Sequence, residues 1–120
     1  MAEKSRLRRA LSRWADSEDQ HNRALREEHS KGGAHSVATA PDRERVRVQG
    51  VVRTVTLRPR GGVPALEADL DDGTGVLTLV WLGRRRIAGV EPGRSLAAEG
   101  IIGVHGGVRI IFNPRYELRP

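Results

Sequence analysis

The chain has no cysteine. That excludes a disulfide framework and thiolate metal or redox chemistry, and it gives no argument for secretion. Aromatic residues are scarce, with two Trp, one Tyr and one Phe in 120 residues. Lysine is nearly missing: arginine supplies 19 of the 21 cationic side chains, leaving only Lys4 and Lys31. No apolar run approaches the roughly 18–20 residues that span a bilayer as a helix. The N-terminus is charged but lacks the apolar stretch of a secretory signal, so no membrane partner is expected and the expected location is cytoplasmic.

The equipment of an enzyme is also missing. There is no Gly-rich phosphate loop followed by lysine, and no nucleophile–base pair. His21, His29, His35 and His105 show no i, i+4 pairing and no neighbouring carboxylate set, so none reads as a metal ligand. Asp71 and Asp72 read as turn residues, because no further oxygen ligands follow at loop spacing. The chain reads as a non-enzyme without metal or cofactor.

What is present is positive charge. The formal net charge is +6 and the sequence pI is about 11.1. A basic domain rich in arginine favours polyanionic partners, since the planar guanidinium suits bidentate phosphate contacts. Arginine in place of lysine, among abundant Ala, Gly and Val, also fits a GC-rich genome. Both origins stay open at the level of composition.

Three segments are expected. Residues 1–30 read as a polar helical arm, with Leu7, Leu11 and Trp14 at i, i+4, i+7 and charges of both signs elsewhere. Residues 31–41, with Gly32-Gly33 and several Ala and Ser, have the composition of a flexible linker. Residues 42–120 form the folded domain.

Within that domain the organising stretch is LEADLDDGTGVLTLVWL over 66–82. Asp-Gly between alternating apolar residues is a strong hairpin signal, because tight primed turns need φ > 0. Leu66, Ala68 and Leu70 share one face, and Glu67 and Asp69 the other. The second arm is apolar at nearly every position, as in a strand covered on both faces. Upstream, 44–60 reads as a long strand whose phase changes after Gly50, pointing to a bulge or bend there. A Pro/Gly loop spans 58–64. Residues 83–92 read as a helical connection, with Ile87 and Val90 capping the end of the sheet. Strands are expected over 94–102 and 108–112, followed by a tail that packs back.

This order, five strands with a short helix between the third and fourth, is that of an all-β OB-fold Greek-key barrel. The stretches VRVQGVV at 46–52, LDDGTG at 70–75, Glu91-Pro92-Gly93 with Gly100, and NPRYEL at 113–118 resemble the OB-fold nucleic-acid-binding family. That family includes the anticodon-binding domains of class II aminoacyl-tRNA synthetases and the wedge domain of RecG-type helicases. WLGRRRI at 81–87 is similar to small stand-alone actinobacterial OB-fold proteins. The resemblance covers about residues 43–119.

The resemblance implies single-stranded or branched nucleic acid, DNA or RNA, bound across the second and third strands. Its ligand residues would be Arg58, Arg60 and Gly61-Gly62 in the first loop, the outward face of the hairpin, and 105–109 with His105 and Arg109. Arg47 and Arg53 on the first strand extend this set into a groove, and Arg84 and Arg85 add a second basic patch. Trp81 is in register with Leu77 and Leu79 and reads as either a core contact or an exposed stacking platform. Glu67 and Asp69 depart from the pattern, because carboxylates on that face repel phosphate. Two functions stand side by side: a low-specificity nucleic-acid binder working through arginine, and a protein-interaction module that docks its partner through the acidic face and the N-terminal helix.

Overall fold

The computed structural model describes residues 34–120. The helical arm expected over residues 1–30 lies outside the described residues. The alternation of the sequence becomes six strands: β1 (Arg45–Leu57), β2 (Ala65–Asp71), β3 (Val76–Leu82), β4 (Ser95–His105), β5 (Val108–Phe112) and β6 (Arg115–Leu118). β1–β2, β2–β3 and β4–β5 are antiparallel neighbours. β3 and β5 pair in parallel, Thr78–Val80 against Ile110–Phe112. The first half of β1 pairs with β4, which turns the sheet into a ring. The tail supplies β6, which adds to β4.

β1 is long because it serves two partners, β4 through Arg45–Val51 and β2 through Val51–Leu57. Gly50 sits at the handover. A Cβ there would lie 2.7 Å from the Asp71 carbonyl oxygen, so this close backbone approach requires glycine. The register slips later, between Val52 and Thr54. Val46, Val48 and Val52 keep one phase through Gly50 and are all buried. The phase change expected after Gly50 does not occur there; it comes at a bulge at Arg53.

Inside the ring, Leu70, Leu77, Leu79, Leu96, Ile102 and Ile111 are completely buried. β3 is apolar on both faces for a local reason. Leu77, Leu79 and Trp81 join the main core, whereas Val80 packs outward with Ala65 and Ile110 beneath Phe112.

Three further sequence expectations are corrected. No helix joins β3 to β4. Ile87 and Val90 are buried as expected, but Gly83, Gly89 and Gly93 all have φ between 76° and 88°, which breaks the segment into turns. The Asp-Gly turn is not a tight primed turn either. Asp71 pairs with Val76 across a four-residue loop, and only Gly73 within it has positive φ. The Asp72 carboxylate builds this loop, accepting from the Thr74 and Gly75 amides and the Thr74 hydroxyl.

Residues 34–41, expected as linker, form a strap across the ring. His35 bridges Val48 in parallel, and Val37 and Ala40 are buried in the core. The Val37 amide donates to Asp72 Oδ2 at 2.8 Å, and the Ala38 amide to Thr74 Oγ1 at 3.0 Å. Among the described residues no helix is long and apolar enough to cross a membrane.

The strap makes truncation position-dependent. A chain starting at residue 43 is expected to be less stable than one starting at residue 34 by roughly 3 kcal/mol or more, from lost Val37 burial and stranded Asp72 and Arg109 groups. Urea midpoints of the two chains measure the difference.

Candidate functional site

Side chains on the outer face of β1, β2, β3 and β5 fall into two rows fixed by strand register. One row runs Thr54, Asp69, Thr78, Ile110, and the next runs Thr56, Glu67, Val80, Phe112. Arg58 and Arg60, from the end of β1 and the loop beyond it, rise beside these rows, and His105 and Val108 rise at the β4–β5 turn. Apart from Val80 and Phe112, these side chains line a groove of about 290 Å³. Three of the expected site residues, Arg58, Arg60 and His105, thus meet in one place.

The polar groups of the groove are positioned by one another. The Arg60 Nε donates to Glu67 Oε1 at 2.7 Å, and its guanidinium carbon lies 5.5 Å from the Phe112 ring centre, a cation–π geometry. Asp69 accepts from Thr54 Oγ1 at 3.1 Å on one oxygen and from Thr78 Oγ1 at 3.0 Å on the other. His105 meets Phe112 edge-to-face with centroids 5.1 Å apart. The imidazole takes this place because Gly103 has no side chain: a Cβ there would lie 3.0 Å from His105 Nε2. The two acids of β2 are therefore not bare, one being paired with arginine and the other held by hydroxyls. Arg58 makes no ion pair among the described residues, so its charge is available at the rim.

The other expected site residues lie elsewhere. Trp81 is 5% exposed and its indole N–H donates to the Pro114 carbonyl at 3.1 Å. Tyr116 meets it edge-on, so it is a core contact and offers no stacking surface. Arg47 is paired with Glu117 at 3.8 Å, and Arg53 with Asp71 at 3.1 Å. Arg84 and Arg85 are exposed in the β3–β4 connection, outside the groove.

Arg109 is the largest departure. Its Nε donates to Asp42 Oδ1 at 2.9 Å, and its two terminal nitrogens donate to the carbonyls of Val37 and Ala40. Two of its nitrogens hold the strap and the third holds Asp42, just beyond the strap's end. The continuous groove expected from Arg47, Arg53 and Arg109 is therefore not formed.

Sequence reasoning passed over Thr54, Thr56, Thr78 and Phe112. The signal was present for Phe112: on β5 it alternates with the inward Ile111, which puts it on the hairpin's outer face. Among the described residues no group of three or more His, Asp or Glu side chains is arranged to hold a metal ion. Comparison with protein-family models and with curated protein sequences finds no match to this chain.

These roles separate in stability measurements. Arg109→Met, which strands two strap carbonyls and Asp42, is expected to cost about 2 kcal/mol, or roughly 8–16 °C in Tm for a domain of this size. Arg58→Ala is expected to leave Tm within about 2 °C, as for an unpaired surface side chain. Thermal unfolding followed by circular dichroism measures both.

Proposed function

We propose that this protein is an OB-fold domain that binds single-stranded or structured nucleic acid in the β2–β3 groove. The observation that carries the reading is the groove's position. It lies on the second and third strands and is flanked by the β1–β2 and β4–β5 connections, which is where OB barrels take oligonucleotides. The ring of β1, β2, β3, β5 and β4, with the two-partner β1, supports the fold half of the proposal. The missing β3–β4 helix and the added β6 are departures from the simple five-stranded pattern.

The chemistry fits a weak, salt-sensitive binder. Arg58 and Arg60 supply phosphate contacts from a loop with two glycines at positive φ. His105 supplies a ring surface, and the threonines supply hydroxyls. Arg84, Arg85, Arg86 and Arg94 form no ion pairs among the described residues and add a diffuse positive field. A second reading, a protein-interaction module, is favoured by one observation: Glu67 and Asp69 balance Arg58 and Arg60 within the groove.

Binding of single-stranded DNA and RNA across a salt series decides between them. On the nucleic-acid reading, log K falls with log salt, and Arg58→Ala with Arg60→Ala reduces the slope by about 1.4, from two phosphate contacts at roughly 0.7 each. No measurable binding of either polymer at low salt overturns this reading in favour of the protein-interaction module.

A further inference from the structure

Asp69 is the unexplained group of the groove. A carboxylate repels the phosphate that Arg58 and Arg60 attract, yet Asp69 sits in the middle of the polar row. Thr54 Oγ1 donates to its Oδ2 and Thr78 Oγ1 donates to its Oδ1. A carboxylate has about four lone-pair sites, so each oxygen keeps one after accepting one hydroxyl. The two threonines fix the carboxylate and leave acceptor capacity on both oxygens of a side chain that lines the groove. No arginine neutralises it: Asp69 takes part in none of the ion pairs among the described residues, whereas its neighbour Glu67 is committed to Arg60.

The rest of the lining has complementary chemistry. Val108, Ile110 and the His105 ring complete it, with Ile110 in the same row as Asp69 and the imidazole held edge-to-face by Phe112. A flat ring beside a two-oxygen acceptor suits a nucleobase, its face against the imidazole and its edge against the carboxylate. The groove has room for about one nucleotide, near the lower end of small-ligand cavities (roughly 300–1,000 Å³).

The bases differ in what they offer such an acceptor pair. Guanine presents two adjacent donors on its pairing edge, the N1–H and the N2 amino group. Cytosine and adenine present one amino group beside a ring nitrogen whose lone pair faces the carboxylate. Thymine and uracil present one N–H between two carbonyl oxygens. We infer that the groove selects guanine, Asp69 accepting from N1–H and the N2 amino group while His105 carries the face of the base. This rests on the nucleic-acid reading above and turns the acidic floor from an obstacle into its selectivity element.

The test uses the full chain and three fluorescent oligothymidylate strands at low salt. One carries a single central guanine, one carries inosine there, and one is all thymine. The guanine strand is expected to bind about tenfold tighter than the all-thymine strand, within the range of a bidentate base contact. Inosine, which lacks the N2 amino group, is expected to lose most of that gain. Asp69→Asn, which keeps the side chain's shape, is expected to abolish the difference between the guanine and all-thymine strands.

Equal binding of all three strands overturns the inference and leaves the nucleic-acid reading standing. A guanine preference that survives Asp69→Asn also overturns it. Failure of every strand to bind overturns the inference, and the RNA arm of the salt series decides whether the nucleic-acid reading falls with it. The inosine strand probes the same contact without altering the protein, so a variant that unfolds does not hide the answer.

Discussion

The buried carboxylate of Asp72 is the interaction on which the rest of the structure depends. It is 3% exposed and accepts from the Val37 amide at 2.8 Å, the Thr74 amide at 2.9 Å, the Thr74 hydroxyl at 2.6 Å and the Gly75 amide at 3.3 Å. A carboxylate is tolerated inside a protein only when donors satisfy it, and here three reach Oδ1 and one reaches Oδ2. Three belong to its own loop and shape the β2–β3 connection. The fourth belongs to the strap, more than thirty residues earlier in the chain. One side chain thus sets the hairpin loop and anchors the segment that crosses the ring.

The strap matters because the ring closes sparingly on one side. The parallel β3–β5 pairing spans three residues, whereas β1–β4 and β2–β3 each span seven. Val37 and Ala40 add apolar burial to the main core, and Arg109 reaches from β5 to their carbonyls. Asp72 and Arg109 hold the same short segment from the β2–β3 loop and from β5. Backbone groups of a buried segment need partners, and these two charged side chains supply them where strand pairing does not.

Much of the fold was legible because strands announce themselves by alternation. The inward sets Leu66, Ala68, Leu70 and Leu77, Leu79 are buried as their spacing implied. The misreadings each have a physical cause. The strap looks like a linker because its content is mostly Ala, Ser, Thr, His and Pro, and a single valine carries most of its burial. Ile87 and Val90 have helical spacing, yet glycines with positive φ convert the segment to turns that bury the same two residues. Arg109 looked like a ligand residue because sequence does not reveal that its acceptors are carbonyls brought from the strap. That Arg58, Arg60 and His105 meet at one groove was legible because the loops that carry them flank one hairpin face. Phe112, Thr54 and Thr78 were harder to see, since each matters only through the register that aligns it with Asp69 or His105.

Arginine abundance is a poor guide to ligand contacts here. Residues 34–120 hold thirteen arginines and nine carboxylates. Six of these arginines are paired with acids among the described residues. Exposed pairs such as Arg45–Glu99 at 3.7 Å contribute about 0–1 kcal/mol, so their main effect is to remove cations from the pool that can meet a ligand. In the groove, two arginines face two carboxylates, so the net charge of the protein does not become net charge at the site. On the proposed reading, attraction and discrimination then come from different atoms. Arg58 and the unpaired arginines of the β3–β4 connection draw in a polyanion of any sequence, and salt screens that term. Asp69, fixed by Thr54 and Thr78, acts only at contact and only on a group that donates hydrogen bonds. A carboxylate in a basic protein's groove weakens the general attraction, which makes whatever binding remains depend more on the base that fills the site.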